Sequence, residues 1–214
     1  EGVGLTGSED NGESWRNSDD GFVRDVHVSK LVIDPNNNNV FYATTQGQTE
    51  YTDKVGDGAG VFKSTNRGES WEQINNGLNS LETNVIVVDP NNSQILYLGT
   101  DDDGLYKSTD GGNNWDKLDV SPITESFGVG DIVVDPRNSN NIYLGTVDYF
   151  RLAQDRGVLG DFGILTSNDG GLTWREFNSG LEHLGVFTLE LNPETRILYA
   201  GTRAGGVYWV DLND

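Results

Sequence analysis

The chain has 214 residues, enough to bury a large core, and it carries 34 acidic against 14 basic side chains for a net charge of −20. That balance, with no cluster of Lys or Arg, excludes nucleic-acid binding along a basic stripe and disfavours anionic membranes. No run approaches the roughly eighteen apolar residues of a membrane span, so no membrane insertion is expected, and the lack of Cys removes disulfides, thiolate chemistry and zinc–thiolate sites.

Two motifs alternate along the chain. At the N-terminus Gly4-Leu5-Thr6-Gly7-Ser8 reads as a strand running into Ser8-Glu9-Asp10-Asn11-Gly12-Glu13-Ser14-Trp15. Next comes Val32-Ile33-Asp34-Pro35 with Val40-Phe41-Tyr42-Ala43-Thr44, a long polar segment from Gln46 to Ala59, and Ser64-Thr65-Asn66-Arg67-Gly68-Glu69-Ser70-Trp71. The pair recurs as Val87-Val88-Asp89-Pro90 with Ile95-Leu96-Tyr97-Leu98-Gly99-Thr100, and Ser108-Thr109-Asp110-Gly111-Gly112-Asn113-Asn114-Trp115. A third unit holds Val133-Val134-Asp135-Pro136, Ile142-Tyr143-Leu144-Gly145-Thr146, a second long segment from Val147 to Phe162, and Ser167-Asn168-Asp169-Gly170-Gly171-Leu172-Thr173-Trp174. The chain then gives Leu191-Asn192-Pro193 with Ile197-Leu198-Tyr199-Ala200-Gly201-Thr202, and a last strand, Gly206-Val207-Tyr208-Trp209-Val210.

The first motif reads as a hairpin. Its apolar runs are strand-length and rich in β-branched and aromatic residues, and Pro stops the first strand because it has no N–H for a ladder. The second motif, Ser-x-Asp-x-Gly-x-x-Trp, reads as a structural turn. A short Asp or Asn side chain accepts nearby backbone N–H groups, Gly supplies an angle other residues avoid, and Trp, expected to be largely buried in all four copies, anchors the returning strand. Asn66 can still accept, without the charge.

The repeat length, roughly 45–60 residues, matches a four-stranded propeller blade. With strands A to D numbered from the hub, the Pro hairpin is A–B and the box joins C to D. The fold class is therefore all-β: a β-propeller of four-stranded antiparallel blades, about four to five in this chain, read as a single domain over 1–214. Complete blades are expected at 28–75, 84–119 and 129–178. Residues 1–20 supply strands C and D of a terminal blade, and 185–214 supply strands A to C of the closing blade. The N-terminal strands around Leu5 and Trp15 are expected to pair with the C-terminal blade, with strand C present twice; otherwise the chain is a fragment of a larger propeller whose blade edges invite self-association.

The second motif is the Asp-box, or BNR, repeat. The chain resembles the Asp-box propellers over nearly its whole length: bacterial sialidases, xyloglucan-hydrolysing glycosidases, sortilin-type receptors and photosystem II assembly-factor propellers. The resemblance implies a structural role for Ser8, Asp10, Gly12 and Trp15, for Ser64, Asn66, Gly68 and Trp71, for Ser108, Asp110, Gly112 and Trp115, and for Ser167, Asp169, Gly171 and Trp174. It also implies that any site lies on the face of the B–C and D–A loops. The Arg-Ile/Leu-Pro signature of the sialidases is absent. The chain also lacks the Cys-rich module that sortilin-type receptors add and the basic patch of the photosystem factors.

On that loop face two B–C loops are long, and such loops carry function more often than average ones. One holds Tyr51, Asp53, Lys54 and Asp57; the other holds Tyr149, Phe150, Arg151, Asp155 and Arg156. With Asp101, Asp102, Asp103 and Arg203 from the two short loops, these supply the candidate binding residues. The Asp101–Asp103 run offers oxygens of the kind Ca²⁺ takes, in a spacing that matches no EF-hand; a solvated acidic turn is the plainer reading. No other cofactor is expected. His27 and His183 fall in D–A connections. Paired carboxylates can hydrolyse glycosides, but 34 acids place pairs everywhere by chance, and no catalytic pair stands out. The favoured function is a non-enzymatic scaffold or binding propeller for a protein or polysaccharide partner. The alternative is part of a glycoside hydrolase resembling the xyloglucanases. With no Met even at position 1, a removed secretory signal is one explanation, and a secreted or periplasmic location is expected.

Overall fold

The computed structural model describes residues 5–22, 26–47, 58–123, 126–148 and 161–213, and among these every regular element is a strand. Strands β1 (Thr6–Gly7) and β2 (Arg16–Asn17) form a two-stranded sheet. The first complete blade holds β3 (Val26–Asp34), β4 (Asn37–Gly47), β5 (Val61–Ser64) and β6 (Glu72–Gln73). The second holds β7 (Thr83–Asp89), β8 (Asn92–Thr100), β9 (Leu105–Ser108) and β10 (Asp116–Lys117). The third holds β11 (Gly128–Val134), β12 (Ile142–Val147), β13 (Ile164–Ser167) and β14 (Arg175–Glu176). The fourth has three strands, β15 (Val186–Asn192), β16 (Ile197–Thr202) and β17 (Gly206–Asp211). All neighbours are antiparallel, in sequence order.

The blades pack face to face in chain order, and each interface is its own apolar core. Tyr42, Val61 and Ile74 of the first blade meet Ile86, Val88, Leu98 and Trp115 of the second. Tyr97, Leu105 and Val85 then meet Ile132, Val134, Leu144 and Trp174, and Tyr143 and Ile164 meet Leu189, Leu191 and Leu198. Residues alternate across each strand, so one side of a blade serves the preceding interface and the other the following one.

The boxes close these interfaces. In every box the Ser hydroxyl donates to the acid or amide oxygen at 2.8 Å and accepts the Gly N–H, as in Gly112→Ser108 at 2.9 Å. The same carboxylate or amide oxygen accepts the N–H four residues on: Ser14, Ser70, Asn114 and Thr173, at 2.9–3.0 Å. The hydroxyl of Ser14 chiefly pulls the Asp10 carboxyl down to about 2, and the hydroxyl of Thr173 does the same to Asp169. Asp110 is also lowered, chiefly by the Asn114 side-chain amide. The turn's summit, Gly111 or Gly170, offers its carbonyl to the preceding blade, where Tyr42 and Lys63, or Tyr97 and Lys107, donate to it. Trp115 lies buried with its indole N–H on the Ile74 carbonyl at 2.7 Å and its peptide N–H on the Asn76 carbonyl at 2.9 Å. Gly77 permits that approach, since a Cβ there would stand 2.1 Å from the Trp115 carbonyl oxygen.

Two expectations need correction. Trp71, Trp115 and Trp174 are buried, but Trp15 is 65% exposed, because among the described residues no other blade packs against its box. The terminal strands also do not meet: β1 and β2 pair only with each other, and among the described residues no strand joins them to β15–β17. The hairpin packs instead on the first blade, with Phe22 stacked on Phe62 at 4.1 Å and the Asp20 carbonyl accepting the Trp71 N–H at 2.8 Å.

Candidate functional site

The A–B turns and boxes share one face. There Asp34, Asp89 and Asp135 are buried, and each does more than end a strand. Each accepts the N–H two residues on at 2.8–2.9 Å, and each holds the next blade. Ser93 donates to Asp34 at 2.8 Å, Ser139 to Asp89 at 2.7 Å, and Arg196 to Asp135 at 2.8 Å. Burial alone would raise the Asp135 carboxyl, but the Arg196 bond and two further donors outweigh it and the group is lowered. In the sequence these Asp–Pro steps read as strand stops; the Ser or Arg in the following blade's A–B turn is the signal for the latch.

The opposite face carries the B–C loops, and a single device fixes all four of their stems. A Thr within the last three residues of strand B donates its hydroxyl to the carbonyl of the Gly at the entry to strand C: Thr45 to Gly60, Thr100 to Gly104, Thr146 to Gly163 and Thr202 to Gly206, at 2.9–3.2 Å. Those glycines share one left-handed φ of 77–80°, a region that L side chains rarely adopt. The stem is thus closed identically whether the loop is short or long, which frees loop length from the blade's geometry.

The two long loops have an additional clamp. Glu82, on the connection into β7, accepts the N–H of Gly47 at 2.9 Å and of Gly58 at 2.7 Å, gripping both stems of the first loop. At the third blade Asp161 accepts the Asp148 N–H at 2.8 Å, and Arg203 donates to the Asp148 carbonyl while lying over the Phe187 ring. Of the candidate binding residues, Tyr51, Asp53, Asp57, Tyr149, Arg151 and Arg156 lie outside the described residues, as do Lys54, Phe150 and Asp155. Arg203 sits at the third-to-fourth blade junction.

Between the stems of the two long loops, on the second blade, lies a short turn. Its three acids are engaged separately. Asp101 is buried and holds the Gln46 amide through both oxygens, at 3.0 and 2.8 Å. Burial pushes its carboxyl up to about 7, with Glu82 and Asp102 adding to the rise and the Gln46 bond opposing it. Asp102 accepts the Ser80 hydroxyl at 2.8 Å, and Asp103 takes the Tyr106 hydroxyl and Lys117. Among the described residues no group of three or more His, Cys, Asp and Glu is arranged to hold a metal ion. His27 is not in a D–A connection but in β3, opposite Gln46, and it is exposed; His183 is exposed as well.

Repeated four-stranded antiparallel sheets, Asp-boxes at the C–D turns and a face of variable loops define an Asp-box β-propeller. The sequence agrees: the model of the Sortilin-Vps10 family (Sortilin, neurotensin receptor 3) matches residues 59–204, and the chain belongs to that family. An ancestral GH74 enzyme is 28% identical with a TM-score of 0.65, over 86% of this chain and 23% of that one. YCF48 bound to a D1 peptide is 17% identical with a TM-score of 0.62, over 95% and 57%. PorZ, a surface component of the type-IX secretion system of Porphyromonas gingivalis, is 18% identical with a TM-score of 0.63, over 95% and 28%. The chain therefore spans about a quarter of the GH74 enzyme and just over half of YCF48. Comparison with curated proteins yields no match.

Proposed function

We propose that this chain is a binding propeller that engages a protein or polysaccharide outside the cytoplasm through its B–C face. The long loops 46–59 and 147–162 would rise on either side of the second blade's short turn. The observation that carries the reading is the stem architecture: one Thr–Gly closure shared by every blade, reinforced by Glu82 and Asp161 where the loops are long. Such loops on a rigid scaffold are the usual seat of recognition. Asp101, Asp102 and Asp103 are each held by a different protein group, an arrangement that speaks against a paired-carboxylate role for this turn and leaves recognition to the rest of the face. The peptide-bound YCF48 and the secretion-system PorZ share this fold, which is compatible with a non-enzymatic role and an extracellular or periplasmic location.

A second reading, part of a glycoside hydrolase, is favoured by the 28% identity to the GH74 enzyme. One experiment separates the two. The purified chain is screened for retention on xyloglucan and on a peptide library, and for release of reducing sugar. Loop 48–57 is then replaced by the short turn of the second blade. Binding without turnover, lost in the loop replacement while the strand signal persists, supports the binding reading. Turnover supports the hydrolase, and binding indifferent to the loops refutes the site.

A further inference from the structure

Neighbouring complete blades are tied near the B–C face by one repeated backbone bond: the Gly60 N–H donates to the Leu81 carbonyl at 3.1 Å, Gly104 to Phe127 at 3.1 Å, and Gly163 to Leu184 at 3.0 Å. What surrounds that bond differs. At the second junction it is an edge-on pair of rings, Phe127 and Phe162. At the third, Asp148 is buried, and the Arg203 guanidinium donates to its carbonyl. The first junction buries an acid whose direct partner is neutral. Asp101 is 8% exposed, and both its oxygens accept from one amide nitrogen, Gln46 Nε2, at 3.0 and 2.8 Å.

The same junction holds a second carboxylate. The two side-chain oxygens of Glu82 accept the Gly47 and Gly58 N–H groups, and its peptide carbonyl accepts the Asp101 N–H at 3.0 Å. Gln46 and Gly47 are consecutive, so the end of β4 answers to both acids: the side chain of one residue to Asp101, the N–H of the next to Glu82. The groups facing Asp101 from the other elements do not neutralise it. Asp102, in the same turn, accepts the Ser80 hydroxyl, and Asp103 takes the Tyr106 hydroxyl and Lys117. From β7 the Asn84 oxygen shares the Gln46 amide, and the Asn84 nitrogen donates to the Val129 carbonyl of the third blade. His27 stands across from Gln46 on β3 and is exposed. Among the described residues no Lys or Arg pairs with Asp101 or Glu82.

We propose that the junction of the first and second blades is a pH-responsive joint, in which the charge on Asp101 sets how firmly Glu82 holds the two stems at Gly47 and Gly58. With Asp101 neutral, the joint closes around the Glu82 charge. With Asp101 ionised, two carboxylates oppose each other in a largely buried site, and parting the short turn from the end of β4 relieves both. Burial, with Glu82 and Asp102 adding, pushes the Asp101 carboxyl up to about 7 in the closed joint; opened to water, the group returns to the ordinary range near about 4. The closed joint therefore binds the proton more tightly than the open one. Its advantage is complete below about pH 4 and shrinks by up to about tenfold for each pH unit up to about 7. In a binding propeller of the kind proposed above, the stems of the first loop would be held more firmly in mildly acidic surroundings than in neutral ones. That consequence rests on the binding reading; the joint itself does not.

The test is amide exchange of the whole chain, with no partner present, from about pH 5 to about pH 8, each rate compared with the intrinsic rate at that pH. Protection at Gly47 and Gly58 should fall together by at least about tenfold, while Gly104 and Gly163, which make the corresponding backbone bonds at the other junctions, keep theirs. In Asp101→Asn, which retains an acceptor for Gln46 and has no charge to gain, protection at the two stems should stay level. The Asp101 carboxyl carbon resonance of the unaltered protein should titrate with a midpoint at about 7, a reading that does not depend on the variant. A midpoint near about 4 overturns the proposal. So does constant protection in the wild type, an equal fall at Gly104 and Gly163, or a fall that persists in Asp101→Asn and so belongs to another group such as His27. Each of these failures leaves the binding reading standing, since that reading is tested by the partner screen.

Discussion

Replacing Trp115 by Ala should cost about 3–5 kcal/mol, the range for emptying a buried aromatic site. The structure places this substitution toward the upper end. The ring is buried between Ile74, Tyr42 and its own box glycine, and its indole N–H is donated to the Ile74 carbonyl at 2.7 Å. Truncation leaves a cavity at a blade interface and an unpaired buried carbonyl, itself worth about 1–3 kcal/mol. The matched control is Trp15→Ala, which removes the same residue from the same motif at 65% exposure and should change stability by less than about 1 kcal/mol. Denaturant unfolding followed by far-UV circular dichroism at constant m-value reads both. Equal effects for the two tryptophans, or a Trp115→Ala cost below about 1 kcal/mol, would mean that the box, and not the blade interface, is the unit of stability.

Acid should weaken the boxes in a defined window. The folded carboxyls of Asp10 and Asp169 lie at about 2, so their contribution is complete above about pH 4 and fades as pH falls toward about 2. Asp169→Asn should flatten the acid limb of the stability curve, and an unchanged limb would contradict the assignment. Asp101 behaves in the opposite sense. Its folded carboxyl sits at about 7, so its ionisation opposes folding progressively as pH rises from about 4 to about 7, by at most about 1.4 kcal/mol for each pH unit between the two midpoints. Asp101→Asn should therefore stabilise at pH 8 relative to pH 4, and the same effect at both would refute the buried-acid account. Tyr97→Phe deletes the hydroxyl that meets the Gly170 carbonyl at 3.1 Å and should cost about 1 kcal/mol by denaturant titration; no loss would contradict the latch. Glu82→Ala should speed amide exchange at Gly47 and Gly58 together, and protection surviving at both would show that the clamp is not needed.

Much of the architecture was legible because each blade repeats the same local chemistry. The Asp-to-Trp spacing of the boxes marked the C–D turns, and the Pro hairpins marked A–B. What the sequence hid is long-range. Nothing local to Trp15 distinguishes it from Trp115; it is exposed because, among the described residues, no neighbouring blade packs on its box. Asp89 looked like a turn residue because its partner across the blade interface, Ser139, lies far along the chain. Gly-Thr was visible as a repeat, but its role appears only when the Thr hydroxyl is seen on the carbonyl of a left-handed Gly beyond the loop. The expected joining of the two termini failed for the same reason: apolar strands with free edges announce a need for a partner and not its identity.

The most direct test of the central claim is amide exchange of the whole chain with and without the partner or glycan recovered from the screen. A binding surface on the B–C face predicts new protection at Gly47, Gly58, Asp101–Gly104 and Asp148, with the box turns at Gly111 and Gly170 unchanged. Protection confined to the box face, or release of reducing sugar from xyloglucan with no lasting footprint, would contradict it.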